Sequence, residues 1–497
     1  MKNFILFSVS LLSGIIMLFS LPGKKALSPV LVKPVVSIVE CLPPVTITSA
    51  KDFKIRYGAD PLMVRKNVDS LTQAEINAIK VGILKMRALP YTNPTSYLYQ
   101  SAIHGTLLTD NLPSWNMCHR PGESVFFFAW HRMYLYFFER ILRSKSGRAN
   151  LTMPYWNYQL DPSLHPAWRD KSLGNPLYDA TRGVSINNGG SLPSSISTAI
   201  NNSLALIPYY TFQSNFNGGP HGSVHIAVGG SMAVISTAVK DPVFWLHHSN
   251  VDRLWEEWRS MCGGRTNPTD TTWLNKTYTF FDETGTAVNM KGSQVVEIST
   301  QLNYRYDDRA PVISCPAARI SLAAREPLLK KEGAVELSGQ TQTTDFVNES
   351  PAVLESFIRT KNRNTFNFNS TAAPERLTML FDGVGIEQMP QGVIEVYMNL
   401  PAGVTPTSTS NYFVGLLDLF TAQHNAMHHT AAEQANEPLE MDATKVALAQ
   451  GLTILDLRNA TVTFIARGLK LNGREVTTTA HVVVRHIRFA VDRYVQN

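Results

Sequence analysis

Hydrophobic and polar residues follow two different rhythms along this chain of 497 residues. Between residues 70 and 306, apolar positions recur every three or four residues in long segments such as "SLTQAEINAIKVGILKMRAL". This spacing predicts amphipathic helices joined by loops rich in Gly, Pro and Ser. After Arg309, segments such as "GVIEVYMNL" and "HVVVRHIRFAV" alternate apolar and polar residues, which predicts an antiparallel β-sandwich. We therefore expect a mainly α-helical domain followed by a C-terminal β domain.

The first residues resemble neither part. "MKNFILFSVSLLSGIIMLFSLPGKKALS" has a short basic start and an apolar run that ends near Leu21. This pattern is typical of a signal peptide, and because the run is long and no A-x-A site follows, an uncleaved membrane anchor is the alternative. We expect residues 1–28 to be this segment, residues 29–310 the α-helical domain, and residues 311–497 the β domain with its linker. The body of the protein would be exported, either secreted or periplasmic.

Composition narrows the classes of function. The chain is 44% hydrophobic and 17% charged with a net charge of +6, and it has no lysine and arginine runs interleaved with aromatic residues, so we expect no nucleic-acid partner. Export would permit disulfides, although four cysteines allow three pairings between which the sequence does not choose. These cysteines are Cys41, Cys118, Cys262 and Cys315, and glycosylation sequons stand at Asn150, Asn275 and Asn459.

Histidines interrupt the most apolar predicted helices. In "DPVFWLHHSNVDRLWEEW", His248 shares a helix face with Phe244 and Asp252. A core histidine bonded to a backbone carbonyl or to Asp252 would explain one such residue. It does not explain why His221 and His225 stand four residues apart in "PHGSVHIAVGG", a spacing that directs both imidazoles to one point.

A second group of histidines has the same character. His131 lies in the aromatic run "FFFAWHRMYLYFFER", and His104 and His119 precede it. Two groups of three histidines, with no CxxC and no acidic ligand cluster beside them, indicate two metal ions held by nitrogen ligands. Such ligands suit copper, zinc, iron or nickel, so the chemistry narrows the metal without fixing it.

These segments carry a family resemblance. "FFFAWHRMYLYFFER", "PHGSVHIAVGG" and "DPVFWLHHSNVDRLWEEW" closely resemble the two copper-binding segments of the tyrosinase, catechol oxidase and haemocyanin superfamily. The resemblance extends from Val64 to Asp307 and includes "LNYRYDD", whose Tyr304 and Tyr306 match the motif that ends the family's catalytic domain. It implies a catalytic domain with a four-helix-bundle core that holds two copper ions in a dinuclear type-3 site.

The resemblance also implies a role for each histidine. His104, His119 and His131 would bind the first copper, and His221, His225 and His248 would bind the second. In the adjacent pair of histidines, the family's ligand is the second, which places His247 beside the site. Asp252 would accept a hydrogen bond from the outer ring N–H of a ligand histidine.

The sequence departs from the family at the first copper. His119 and His131 are twelve residues apart, a longer gap than the family usually has, so "RPGES" would form an extra loop. Many relatives link a cysteine covalently to the second ligand. Here Cys118 adjoins His119 directly, where a thioether would be strained, and this favours a buried thiol or half of a disulfide.

The surroundings of His221 bear on the reaction. In relatives, loss of the phenol proton during monophenol hydroxylation has been attributed to a water held by a glutamate before this ligand and an asparagine after it. Here Gly222 follows, and "TFQSNFNGGP" before it contains no acid. Gln213, Asn215 and Asn217 orient water but are poor bases. We therefore expect o-diphenol oxidation, with weak or absent monophenol hydroxylation.

The expected activity is that of a copper oxidase that converts o-diphenols to o-quinones with O2. Its partners would be small phenols and O2, and a membrane only if the N-terminal segment is uncleaved. A haemocyanin-like oxygen-binding protein and a true tyrosinase are the alternatives. An export signal on a single chain without repeated units favours the enzyme over the oxygen-binding protein. A zinc hydrolase is a third interpretation, but the sequence lacks the ligand set that such enzymes usually have.

Three expectations concern the β domain. Relatives use such a domain as a lid over the active-site mouth, with one side chain that reaches toward the coppers, and the sequence does not identify that side chain here. "AAREPLLKKEG", Ala323 to Gly333, is charged and offers basic sites to proteases, so we expect a linker there that proteases can cleave. "HNAMHH", with His424, Met427, His428 and His429, has copper-binding residue types, although a solvated loop is the simpler interpretation.

Overall fold

The helices predicted from the periodicity lie in the first two thirds of the chain. The computed structural model of the protein describes residues 49–55, 61–105, 123–312, 320–370, 374–428 and 438–496. Among the helices of these ranges, none combines the length and the hydrophobicity needed to cross a bilayer. The predicted targeting segment, residues 1–28, lies outside the described ranges, and export therefore stays a prediction.

Two long helices form the centre of the α-helical region and contact each other. They are α3 and α9 in the series α1 (Gln73–Arg87), α2 (Tyr97–Gly105), α3 (Phe127–Ser146), α4 (Pro166–Arg169), α5 (Val184–Asn187), α6 (Ser194–Leu204), α7 (Tyr209–Phe216), α8 (Gly222–Val228), α9 (Val243–Ser260), α10 (Thr271–Asn275) and α11 (Ile298–Gln301). Both are buried along most of their length. A helix that is buried on nearly every side needs neighbours all round, and α1 supplies one of them to α3.

The sequence sets where α1 begins and which face it buries. Thr72 accepts a hydrogen bond from the Glu75 backbone N–H, and the Glu75 carboxylate accepts one from the Thr72 backbone N–H. This reciprocal cap satisfies two N–H groups that a helix start would leave without partners. The buried residues recur at helical spacing: Ile76, Ile79, Ile83 and Met86.

Short parallel strands join the beginning and the end of the α-helical region. β2 (Met63–Arg65) pairs with β5 (Tyr304–Tyr306), and β1 (Lys51–Asp52) pairs with β4 (Ala287–Lys291), which in turn pairs with β3 (Thr277–Phe281). Lys51, Asp52 and Met63, which precede the start of the family resemblance at Val64, are therefore part of the folded α-helical region.

Strands are the main regular elements of the region from Ile320 onward. They are β6 (Ile320–Lys331), β7 (Val335–Gly339), β8 (Thr341–Asp345), β9 (Glu375–Gln388), β10 (Gly392–Met398), β11 (Phe413–Leu416), β12 (Leu439–Asp442), β13 (Thr461–Gly468), β14 (Lys470–Leu471), β15 (Arg474–Glu475) and β16 (Ala480–Gln496). One sheet has the order β12-β9-β16-β6, with β7 also on β16, and another has the order β11-β10-β13-β8. Their pairings are antiparallel. The prediction of a helical region followed by a β-rich region is confirmed.

The predicted linker at Ala323 to Gly333 is wrong, because most of this segment is a strand. Ala323 to Lys331 belong to β6, which pairs antiparallel with β16 from Ile320↔Gln496 to Lys331↔Ile487. The charges that suggested a linker are partly matched within the sheet, because Arg325 bonds Asp492 at 2.6 Å and also pairs with Glu440. A protease would have to detach this strand before it could cut there.

The β-rich region contacts the helices on the side of α8. The helices α12 (Ala352–Lys361), α13 (Leu419–His428) and α14 (Thr444–Gln450) belong to the β-rich region. Helix α8 lies against strand β10 and against helix α13. Helix α6 contacts β11. Cys262 is disulfide-bonded, and because the other three cysteines lie outside the described ranges, its pairing stays open.

Candidate metal centre

Four helical segments bring six of the chain's histidines together, all of them buried. His104 comes from α2, His131 from α3, His221 and His225 from the turn before α8 and from α8 itself, and His247 and His248 from α9. Their ring nitrogens form two groups in which all ligand atoms lie within 4.8 Å of one another. The first group is His104, His131 and His248, and the second is His221, His225, His247 and His248.

Backbone carbonyls orient three of these rings. The Nδ1–H of His104 donates to Ile235 O at 3.1 Å, that of His131 to Phe127 O at 2.8 Å, and that of His225 to Met232 O at 2.8 Å. This tautomer leaves the lone pair on Nε2, the nitrogen that a metal binds. The backbone of the helices and of the loop after α8 thus fixes which nitrogen is available.

Burial keeps the imidazoles neutral. Loss of hydration lowers the pKa of His104 to about 4 and that of His247 to about 3. It also lowers the pKa values of His131, His225 and His248 well below the usual range, and repulsion between neighbouring imidazolium charges adds to the effect. A neutral imidazole is the form that binds a metal, so the donors fit first-row metal ions that prefer nitrogen, copper among them.

The spacing of two nitrogens fits the binding of one metal ion by His225 and His248 together. His225 Nε2 and His248 Nε2 are 3.2 Å apart. Two nitrogens that each lie about 2.0–2.1 Å from one tetrahedral metal ion are separated by about 3.4 Å, close to this value. The His247 ring stacks parallel to the His221 ring with centroids 5.3 Å apart, and a ring nitrogen of His247 also lies within 4.8 Å of those of His221, His225 and His248.

Some predicted site residues are not part of this description. His119 and Cys118 lie outside the described residues, so their roles stay predictions. In "HNAMHH", His429 lies outside the described ranges, and although His424, Met427 and His428 belong to α13, their side chains are not described.

Among the described residues, Asp252 bonds arginines and tyrosines rather than a histidine, which corrects the predicted hydrogen bond. Its carboxylate accepts hydrogen bonds from Arg132 Nε at 2.5 Å, Arg65 Nη1 at 3.2 Å, Tyr304 Oη at 2.6 Å and Tyr306 Oη at 2.5 Å. Burial alone would raise the pKa of Asp252, but the two guanidinium groups hold it below its usual range. Helical spacing identified the face on which Asp252 lies, but not the neighbours that meet it.

The residues around Asp252 form a cluster that we call the clamp. It consists of Arg65, Arg132, Glu139, Asp252, Glu256, Tyr304 and Tyr306. Arg65 bonds Glu139 on α3 at 2.8 Å, and Arg132 on α3 bonds Glu256 on α9 at 2.8 Å. The clamp ties α3 to α9 and to the paired strands β2 and β5, and so it holds the helices that carry His131 and His248. A charged residue inside an aromatic helix, such as Arg132, was the sequence signal for it.

Gly222 adopts ordinary helical backbone angles, φ −61° and ψ −33°, that any residue can adopt. A Cβ at this position would lie 2.0 Å from Asp418 Oδ1, 2.7 Å from Asp418 Cγ and 3.2 Å from Phe420 Cβ. The segment before His221 contains no acid, as the sequence indicated, but the β-rich region brings a carboxylate there.

An aromatic side chain from the β-rich region covers the histidines. The Phe420 ring stacks on the His225 ring with centroids 4.0 Å apart and an interplanar angle of 10°, and it meets His221 edge-on at 5.9 Å. Asp418 Oδ1 accepts hydrogen bonds from the backbone N–H groups of Phe420 and Thr421, both at 3.1 Å, and thereby caps the start of α13. In "GLLDLFTAQ", an aspartate before an apolar helix start was the signal that could have located this cap.

Known proteins match the same part of the chain. Residues 94–195 and 193–261 match the sequence profile described as "Common central domain of tyrosinase", and residues 267–315 match "Polyphenol oxidase middle domain". A tyrosinase from Hahella sp. is 29% identical over 318 residues, which are 53% of this chain and 67% of that protein. The latent form of a chloroplastic polyphenol oxidase from Prunus armeniaca is 31% identical over 312 residues, which are 54% of this chain and only 52% of that protein.

A solved structure shares the whole arrangement. The structure of a recombinantly expressed latent aurone synthase, a polyphenol oxidase, matches with a TM-score of 0.63 and 21% identity over 91% of this chain and 93% of that chain. At this identity the likeness supports the fold, a helical core followed by a β-rich region.

These matches, together with the two histidine groups, confirm the predicted resemblance, the two copper ions and the class of enzyme. Which histidine binds which metal ion stays a prediction. Residues 94–261 and 267–315 of the chain are thus similar to the central domain of tyrosinases and to the middle domain of polyphenol oxidases.

Proposed function

We propose that this protein oxidises o-diphenols to o-quinones with O2 and hydroxylates monophenols weakly or not at all. The observation that carries the proposal is the ring of Phe420, which lies flat on His225 at 4.0 Å. A surface that accepts one planar aromatic ring beside the metal ligands suits the ring of a phenol, with its oxygens directed at the metals.

Within this proposal each side chain has a defined task. His104, His119 and His131 hold the first copper, His221, His225 and His248 hold the second, and these helices form a four-helix bundle. When bound, the two coppers supply the redox chemistry with O2. The protein supplies neutral imidazoles with fixed tautomers, a buried aromatic surround that excludes water, and the His225 ring against which the substrate stacks.

The preference for diphenols rests on the residues around His221. Hydroxylation of a monophenol requires a group that removes the phenol proton, and residues 209–222 contain no Asp or Glu. Gln213 and Asn217 are buried amides, which orient water but do not accept a proton at neutral pH. Asp418 is the nearest carboxylate to Gly222, but it belongs to the segment that carries Phe420 and would leave with it.

We propose that the β-rich region, residues 311–497, is the lid of this enzyme and that Phe420 is the side chain that closes it. Phe420 occupies the face of His225 that the substrate ring would need, so both cannot bind at once. The intact chain would then be latent, and its activity would depend on the small fraction of molecules in which Phe420 is displaced.

The position of the Phe420 ring over His225 also supports a second candidate function, that of an oxygen-binding protein. A carrier of O2 needs no path for a phenol, and a permanently seated Phe420 would suit that task. The two functions differ in what happens when the ring is removed.

The test uses the copper-loaded full chain with Phe420→Ala. We expect turnover of an o-diphenol to rise at least ~10-fold over the unaltered chain, to exceed turnover of the matched monophenol, and to leave copper content unchanged. Phe366→Ala is the control, because it removes a partly buried ring of the same region that stacks on Phe368. A copper-replete Phe420→Ala chain that oxidises neither phenol would favour the oxygen carrier, and efficient monophenol hydroxylation would refute the diphenol preference.

A further inference from the structure

Gly222 has a role that its backbone does not explain. Its φ and ψ are those of an ordinary helix, so glycine is not needed for its conformation. Glycine inside a helix is unfavourable relative to alanine, and Gly222 continues the helical turn of Asn217–His221 into α8, so the missing side chain requires another reason. The three atoms that a Cβ at position 222 would approach most closely all belong to Asp418 and Phe420, the residues that close the site.

The contact at Gly222 is too close for any side chain. A Cβ would lie 2.0 Å from Asp418 Oδ1 and 2.7 Å from Asp418 Cγ, both far below van der Waals separation. The carboxylate cannot easily turn aside, because it is completely buried and its Oδ1 accepts the N–H groups of Phe420 and Thr421. To admit a methyl group, the structure would have to give up these hydrogen bonds or move the first turn of α13.

Movement of that turn would displace Phe420. The N–H groups that Asp418 holds belong to Phe420 itself and to the next residue, so the carboxylate and the ring are parts of one short rigid turn. Gly222 directly follows His221, whose ring the Phe420 ring also meets. The position of a carboxylate against Gly222 is therefore coupled to the position of the ring over the metal ligands.

We propose that Gly222 is the socket into which Asp418 inserts when the lid closes, and that the missing side chain at position 222 is what permits the latent state. We call Gly222, Asp418 and Phe420 the latch. This inference rests on the proposed lid function and adds the contact that seats the lid. The larger side chain of an asparagine at position 222 would likewise prevent closure, whatever effect it had on monophenol hydroxylation.

The test compares Gly222→Ala with Gly218→Ala in the full chain. Gly218 lies in the same segment and also faces the β-rich region, but a Cβ there would meet its nearest atom, Glu440 O, at an ordinary 3.9 Å. Hydrogen exchange of the copper-free chain is measured on peptides that cover residues 413–423, which include the two N–H groups bonded to Asp418. Copper content and o-diphenol turnover are then measured on the copper-loaded chain.

We expect Gly222→Ala to accelerate exchange at Phe420 and Thr421 at least ~10-fold and to raise turnover of the intact chain by a similar factor. Copper content should stay constant, and Gly218→Ala should match the unaltered chain. The socket is refuted if Gly222→Ala leaves exchange and turnover unchanged, if Gly218→Ala gives the same increase, or if Gly222→Ala loses copper, since the helical region itself would then require the glycine.

A double variant separates a direct contact from two independent effects. Asp418→Ala removes two of the three atoms that clash with a Cβ at position 222 and also removes the cap of α13. If both residues act through one contact, Gly222→Ala with Asp418→Ala should not exceed the larger single effect on turnover, whereas multiplied effects would refute the contact.

Failure of the lid function is distinguishable from failure of the socket. If Phe420→Ala does not raise turnover, the lid proposal is wrong, and the hydrogen exchange of copper-free Gly222→Ala still decides whether Asp418 is seated against Gly222. If Phe420→Ala raises turnover but Gly222→Ala changes neither measurement, the lid stands and the socket is wrong.

Discussion

Two buried carboxylates near the histidine helices differ in what surrounds them. Asp252, in the clamp, accepts hydrogen bonds from two arginines and two tyrosines, and the arginine charges hold its pKa below the usual range. Asp418, in the latch, bonds backbone N–H groups of its own turn, and burial raises its pKa to about 6. The charge of Asp252 is stabilised by neighbouring opposite charges, whereas burial of the Asp418 carboxylate is not offset by any comparable electrostatic attraction from the described residues.

This difference indicates which part of the site is permanent. A buried charge with charged and hydrogen-bonded partners is difficult to remove from its place, because each partner would be left buried alone. A buried carboxylate that is held only by the first turn of one helix can move to solvent together with that turn. This movement costs less free energy, because no charged partner is left buried alone. We infer that the clamp keeps the metal ligands in place while the latch releases the lid.

The largest effect is expected at the clamp. Asp252→Ala would leave Arg65 and Arg132 short of a buried partner and should cost about 3–5 kcal/mol of stability. Thermal unfolding and copper analysis should show a less stable chain that binds less copper. Glu326→Gln, at a partly exposed ion pair with Lys361, serves as the control and should change stability by less than about 1 kcal/mol. A clamp variant as stable as this control would contradict the comparison.

The next effect distinguishes the two histidines of α9. His248→Ala should lose one copper per chain and the diphenol oxidase activity, because His248 Nε2 lies 3.2 Å from His225 Nε2. His247→Ala should retain both coppers. Metal analysis of the two variants checks this directly, and the opposite pattern would transfer the ligand role to His247.

His119→Ala addresses the one proposed ligand that lies outside the described residues. We expect this variant to lose the first copper while it keeps the second, since His104 and His131 alone provide two nitrogens. Metal analysis together with the absorption of the oxygen-bound protein is the measurement. Retention of both coppers would show that the longer gap between His119 and His131 has changed the ligand set.

The smallest effect is expected at the latch. Asp418→Ala should remove a helix cap worth about 1 kcal/mol, with higher diphenol turnover in the intact chain and unchanged copper content. Asp418→Asn is the matched control, because asparagine has nearly the same shape and is an equally good cap, so this variant should stay latent. If Asp418→Asn were as active as Asp418→Ala, the charge rather than the cap would hold the lid.

The predictions succeeded where the relevant contacts are local in sequence. The structure brings together His104, His131, His221, His225 and His248, which the sequence singled out as histidines in apolar segments with a family resemblance, while their roles as ligands stay predictions. The strands β7, β10 and β16 could be recognised from alternation over a few residues. In both cases the information lies within one element.

The predictions failed where contacts join distant segments. Gly222 and Asp418 are 196 residues apart, so the sequence around His221 does not predict that a carboxylate lies there. The charged segment that suggested a linker is a strand because Arg325 finds Asp492 across the sheet. For Asp252, the spacing revealed the buried face but not that Arg65, from a strand before α1, would reach it.

Native-state hydrogen exchange of the unaltered chain tests the central claim most directly, namely that the clamp is permanent and the latch releasable. Exchange is followed at low denaturant concentrations for amides in α3 and α9 and for the N–H groups of Phe420 and Thr421. We predict that α3 and α9 exchange only through global unfolding, while the latch amides exchange through a local opening at least about 2 kcal/mol less costly. Equal protection of both regions, or earlier exchange of α9, would contradict the account.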